Sequence, residues 1–158
     1  MYNPHIVDAI TYLKDYSKNS NRYLKTFFDK KRKLGGKIDK VVVDSINAFE
    51  DYSLGGKKLR GALNVLGYQI AGGKNYSAIL QVSCGIELLH SFLLIHDDII
   101  DKDKTRRGKQ TLHKLFSQKK SEHFGVSKAI VLGDIGAFLG YELIVSSEFS
   151  SDRLNKAI

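Results

Sequence analysis

The chain has one proline, one cysteine and one methionine among its 158 residues. So little proline, with few turn clusters and abundant Leu, Ile, Lys and Ala, predicts helices rather than a sandwich or barrel. Cys84 has no partner for an internal disulfide and sits in an apolar run, which points to a buried thiol in a reducing cytosol. No uninterrupted stretch of about 18 apolar residues occurs, which argues against a membrane span. Residues Met1 to Lys14 mix Asp8, Lys14 and polar side chains into their apolar pattern, so no signal peptide is expected. Internal repeats and low-complexity linkers are lacking as well. With 42% hydrophobic residues the chain can bury one ordinary core, so a single domain over residues 1–158 is expected.

What the sequence does carry is positive charge. A net charge of +8 is compatible with nucleic acid, anionic lipid or phosphorylated ligands. Most of the excess is scattered lysine, with one local run at Lys30–Lys33, as on a solvated surface. No strand-like segment interleaves basic and aromatic residues, so an RNA-binding sheet has no support.

Apolar spacing outlines the helices. Asn3-Pro4 reads as an N-cap and first-turn proline opening a helix with Ile6, Ile10 and Leu13 on one side. The Asn19-Ser20-Asn21 cluster is expected to break that helix before the pattern resumes at Tyr23 and Leu24, and Gly35-Gly36 stops it. A second helix spaces Ile38, Val41, Val42, Ile46 and Phe49 and ends by Gly55-Gly56. A third runs from about Lys58 to Ala71. The fourth, about Tyr76 to Asp101, is apolar nearly all round, as suits the centre of a bundle. Lys102 to Gln110 reads as a charged loop, Thr111–Phe116 as a short helical turn, and about Val126 to Ser147 as a last long apolar helix. Antiparallel helices with short connections describe an all-α bundle.

Three motifs carry chemistry. The first is His96-Asp97-Asp98-Ile99-Ile100-Asp101 at the end of the central helix. At about 100° per residue, Asp97 and Asp101 lie about 40° apart on one face, with His90 between them in angle and two turns deeper. Like charges at that spacing repel, and a helix C-terminus disfavours anions, so hard divalent cations are the natural compensation. Oxygen ligands of this kind suit Mg2+; the plainer reading is a solvated acidic helix end. The second motif is Gly55-Gly56-Lys57-Lys58-Leu59-Arg60, whose glycines, free helix-start N–H groups and cations can cradle a diphosphate. It lacks the spacing and Ser/Thr of a P-loop. The third is Arg106-Arg107-Gly108, adjacent arginines that can each fork onto a phosphate group. Together they describe a site for two diphosphates bridged by metal.

The run Gly55–Arg60, the run Ile86-Glu87-Leu88-Leu89-His90 leading into Asp97–Asp101, then Arg106-Arg107-Gly108 and Gly133-Asp134 resemble the trans-isoprenyl diphosphate synthase family in order and spacing. The likeness is to farnesyl and geranylgeranyl diphosphate synthases of archaeal type. It implies the N-terminal half of the isoprenoid-synthase helical bundle. By that resemblance Lys57, Arg60 and His90 hold the diphosphate of isopentenyl diphosphate. Asp97, Asp98 and Asp101 ligate Mg2+ bridging an allylic diphosphate (dimethylallyl, geranyl or farnesyl). Arg106 contacts the allylic diphosphate and Arg107 the isopentenyl one. His113 and Asp134 are given supporting roles; His96, Asp103 and Cys84 are read as structural. Phe92 and Leu93, five and four positions before the first aspartate, are implied to set product length between C15 and C20.

The resemblance also implies a second aspartate-rich motif on a later helix, and none occurs here, Ser151-Asp152-Arg153 being no substitute. The expectation is therefore half of a split or truncated prenyltransferase, inactive alone. It would complete its site with a separate polypeptide bearing the second motif, in a higher dimeric assembly. The rivals are a regulatory subunit of a full-length synthase, which has no need of intact metal and cation motifs, and a basic nucleic-acid-binding helical protein. A terpene cyclase would share the aspartates but not the Gly-Gly-Lys and Arg-Arg elements.

Overall fold

The computed structural model describes residues 8–118 and 120–152. It is an all-α bundle: α1 Ala9–Gly35, α2 Lys40–Ser53, α3 Leu59–Ile70, α4 Tyr76–Ile100, α5 Leu112–Ser117 and α6 Glu122–Val145. Between α4 and α5 lies a two-stranded hairpin, β1 Thr105–Arg106 and β2 Lys109–Gln110. The predicted helix opening at Asn3-Pro4 falls outside the described residues. Within them α1 starts at Ala9, where the Asp8 carboxylate accepts from the Ile10 and Thr11 amides and satisfies donors a helix start leaves free.

Helix α4 is the axis, packed between α3 on one side and α6 on the other. Glycine makes the second contact close. Gly85 of α4 and Gly140 of α6 meet so tightly that a Cβ on either would lie under 3 Å from the other's carbonyl oxygen. One shared core joins Leu24 and Phe28 of α1, Phe49 of α2, Leu88 and Ile95 of α4 and Leu132 of α6. Each such side chain contributes about 1.5–3 kcal/mol by leaving water, and Phe28 and Phe49 add an edge-to-face contact at 6.0 Å. By length and composition α4 could cross a bilayer, contrary to the expectation that no segment could; half of its apolar window is buried within the bundle.

Two expectations about the local chain are corrected. Helix α1 runs unbroken through Asn19-Ser20-Asn21. Ser20 is fully buried and its hydroxyl bonds back to the Ser17 carbonyl, while Asn19 reaches the Tyr76 hydroxyl. Tertiary packing outweighs the weak turn preference of these residues. The charged loop after α4 is a hairpin with Arg107 and Gly108 both at positive φ (54° and 76°) in its two-residue turn, as the strand twist requires.

Candidate active site

Asp97 and Asp101 emerge exposed at the C-terminal end of α4, sharing the face that their spacing predicts, while Asp98 is turned inward. Asp98 is 1% exposed; the Tyr52 hydroxyl of α2 donates to its Oδ2 at 2.8 Å, and Arg106 Nε donates to its Oδ1. Its carboxylate is thus committed to protein donors, and the ligand role expected for all three aspartates fits only Asp97 and Asp101 in this geometry. Burial and the Asp98 charge together hold the Tyr52 hydroxyl well above its ordinary pKa, so it stays a donor.

Arg106 is the hub of this end. Besides Asp98 it reaches Asp97 Oδ2 at 3.1 Å and Asp103 Oδ2 at 3.7 Å, so Asp103 helps to balance its charge. Among the described residues no three His, Cys, Asp or Glu side chains converge into a self-sufficient metal cage. Two open carboxylates on one helix face still fit Mg2+, which commonly takes one or two carboxylates and completes its shell with water and phosphate oxygens.

The cationic motif lies across from this end. Gly56 (φ 89°) lets the chain turn, and the Arg107 guanidinium rests so close that a Cβ on Gly56 would come within 2.7 Å of it. Hence the glycine pair and the second arginine, 51 positions apart, form one unit. A cleft of about 570 Å³ lies beside it, lined by Tyr52, Gly55, Gly56, Arg106, Arg107 and Leu112 among others; Lys57, Arg60, His90, Asp97 and Asp101 are outside its walls. Lys57 and Arg60 are exposed. Arg60 NH1 lies 2.9 Å from His90 Nε2; arginine only donates, so Nε2 accepts and Nδ1 carries the proton. Burial, then the Arg60 charge, holds His90 below the ordinary histidine pKa and keeps it neutral.

The start of α3 differs from the expected open cradle. The Gly61 amide, in its first turn, is already taken by the Glu87 carboxylate of α4 at 2.7 Å. That helix start therefore offers fewer free N–H groups than the motif suggested. Of the two positions expected to set product length, Leu93 is 59% exposed, whereas Phe92 packs edge-on against the His96 ring at 4.8 Å. His96 donates from Nδ1 to the Phe92 carbonyl at 3.0 Å and turns Nε2 toward Asp134 Oδ1 at 3.5 Å. Cys84 is fully buried, and burial pushes its thiol up to about 12, so it packs and does not react. Tyr52 escaped the sequence reading, since nothing in the periodicity of α2 distinguishes it from a packing tyrosine.

His113 supplies a pH prediction. It is 3% exposed with an unpartnered Nδ1, and burial, then Lys114, lowers its pKa against the weaker pull of Asp98, Glu122 and Asp103. A folded pKa below the unfolded value means that the unfolded chain binds more protons in between, so stability is lost as pH falls from about 6.5 toward the folded value. Thermal unfolding scans from about pH 7.5 to about 5.5 should show a falling midpoint, with a shallower fall in His113→Gln. Equal slopes in the two proteins would remove His113 from the cause.

Residues 43–157 match the family model described as polyprenyl synthetase. The geranylgeranyl pyrophosphate synthase of Geoglobus acetivorans is 34% identical over 104 residues, which are 66% of this chain and 30% of that protein. The farnesyl diphosphate synthase of Bacillus subtilis is 38% identical over 117 residues, 70% of this chain and 36% of that protein. Among solved structures, a geranylgeranyl pyrophosphate synthase from Corynebacterium glutamicum, in complex with isoprenyl diphosphate and magnesium, superposes with a TM-score of 0.84 at 29% identity. The match covers 91% of this chain and 44% of that one. The chain thus spans less than half the length of each of these relatives.

Proposed function

The chain belongs to the polyprenyl synthetase family, and from that premise we propose that its described residues form one wall of a short-chain trans-prenyltransferase site. The site joins an allylic diphosphate to isopentenyl diphosphate once an opposing acidic wall is supplied. The observation that carries this reading is the pairing of two open carboxylates, Asp97 and Asp101, with an arginine, Arg106, held beside them. Beyond it, Arg107 lies on the glycine turn that leads to Lys57 and Arg60.

Each residue has a task in the chemistry. Asp97 and Asp101 would hold Mg2+ against the allylic diphosphate, where the metal supplies Lewis-acid stabilisation of the leaving group. Arg106, fixed in orientation by Asp98 and Tyr52, meets the charge that develops on that diphosphate as the allylic C–O bond breaks. Lys57, Arg60, neutral His90 and Arg107 anchor isopentenyl diphosphate so that its double bond attacks the allylic cation. Loss of a proton then completes the farnesyl or geranylgeranyl product. The opposing wall, in the same or a separate polypeptide, would also cover apolar surface left open here. Leu59, Leu63 and Ile70 lie along one side of α3 and are 49–79% exposed, as is Phe138 of α6; contiguous exposed apolar surface marks an interaction face.

Two measurements test the assignments. In the assembled enzyme, Arg60→Ala should raise the KM for isopentenyl diphosphate more than that for the allylic substrate; the reverse would show that the two pockets are exchanged. Leu93→Ala should lengthen the product, because Leu93 stands open on α4 one turn before Asp97. Phe92→Ala removes the ring packed on His96, so it should lower stability as well as alter length. An unchanged product spectrum in both variants would place the floor of the tunnel elsewhere.

A further inference from the structure

Beneath the exposed cations of the second motif lies a pair of buried charges with no catalytic role assigned. Lys58, between Lys57 and Leu59, is 3% exposed and holds a left-handed backbone (φ 50°, ψ 40°) at the N-cap of α3. Its side chain turns inward, and Nζ donates to the Ser53 carbonyl at 3.1 Å, at the last residue of α2. A cation there compensates the carbonyls that a helix end leaves unpaired. Glu87 of α4 is 6% exposed and accepts from the Gly61 amide at 2.7 Å, which pins the first turn of α3. Gly61 is held from the other side too, since a Cβ there would meet the Tyr16 hydroxyl at 1.9 Å. Burial lowers the Lys58 pKa and the Glu87 charge opposes that fall, so the two groups sense each other.

Resting on the prenyltransferase reading above, we propose that Glu87, together with Lys58 at the N-cap of α3, is the positioning residue of the isopentenyl-diphosphate subsite. It acts through the backbone of α3 rather than by touching substrate. Glu87 fixes where α3 begins, and Lys58 ties that beginning to the end of α2. The segment between them, Leu54 to Lys57, is anchored at both ends, and it carries Lys57 and the glycines on which Arg107 rests. One turn beyond Glu87 on the same face of α4 stands His90, bonded to Arg60. The pair therefore sets the spacing of Lys57, Arg60 and Arg107 around one diphosphate. The other diphosphate, at Asp97, Asp101 and Arg106, hangs on a different clamp, Asp98 and Tyr52.

The two clamps make a separable prediction in the complete synthase. Glu87→Leu should raise the KM for isopentenyl diphosphate by roughly 10–100-fold, the usual loss when a supporting partner behind a ligand-binding group is removed. The kcat and the allylic KM should change little. Glu87→Gln keeps an oxygen acceptor for the Gly61 amide and should recover most of the loss. Lys58→Met keeps the buried stem without the charge and should show the same substrate-selective rise; with Glu87→Gln it decides the question if the leucine variant does not fold. Calorimetric titration with inorganic diphosphate should show weakened binding in step with KM. A folded Glu87→Leu enzyme with an unchanged isopentenyl KM would overturn the role, as would equal losses for both substrates. Wild-type enzyme that forms no product and binds no diphosphate would instead overturn the prenyltransferase reading on which the role rests.

Discussion

Asp97→Ala in the assembled enzyme should lower turnover by about 10²–10³-fold while leaving the helical content unchanged, the usual cost of losing one electrostatic stabiliser at developing charge. The Asp97 side chain is 54% exposed and pairs with Arg106. Removing it empties no core space, and its ion pair is worth at most about 1 kcal/mol to stability. The loss should therefore sit in the chemical step and deepen at limiting Mg2+. Near-normal turnover of this variant at limiting metal would exclude Asp97 as a ligand.

Asp98→Ala should be as damaging to turnover but for a different reason, and the difference is measurable. Asp98 is buried, and its removal leaves the Tyr52 hydroxyl and the Arg106 Nε without their acceptor. Breaking a buried charged pair costs about 3–5 kcal/mol; because a quarter of the Arg106 side chain still reaches solvent, about 2–3 kcal/mol is the expected loss. A chain of this size should then unfold about 5–10 °C lower. Tyr52→Phe removes one of the two bonds and should show a smaller shift in the same direction. If Asp98→Ala keeps the wild-type unfolding midpoint and responds to Mg2+ as Asp97→Ala does, Asp98 is a ligand and not a clamp.

These two aspartates show where the sequence speaks and where it stops. Their neighbourhood on α4 was legible because a helix apolar nearly all round, ending in charge, can only be a central helix with a polar mouth. The helix wheel sets Asp97 and Asp101 on one face, with Asp98 about 100° from the first and about 60° from the second. Which of those faces is buried depends on α2 and on the hairpin, and no local pattern announces either contact. Tyr52 lies 46 positions from Asp98 and the Arg107 contact with Gly56 spans 51. The hairpin was hidden for a related reason. Arginine seldom adopts positive φ, and Arg107 does so where its guanidinium rests on two glycines. The predicted break in α1 failed because burial of Ser20 against α4, where Cys84 faces its carbonyl, outweighs the turn preference of three small polar residues. Glu87 was visible in the sequence as part of a motif, yet its task of holding the start of α3 depends on a contact 26 positions away.

The central proposal is that the described residues form one wall of a prenyltransferase site that an opposing acidic wall completes. Its most direct test is a condensation assay with labelled isopentenyl diphosphate, farnesyl or geranyl diphosphate and Mg2+. The assay compares the 158-residue chain alone with the same chain mixed with a polypeptide carrying the second aspartate-rich wall. The account predicts no product from the chain alone and farnesyl or geranylgeranyl diphosphate from the mixture, formed through an interface resembling a domain core cut in two. Product formed by the chain alone at ordinary enzyme rates would contradict it.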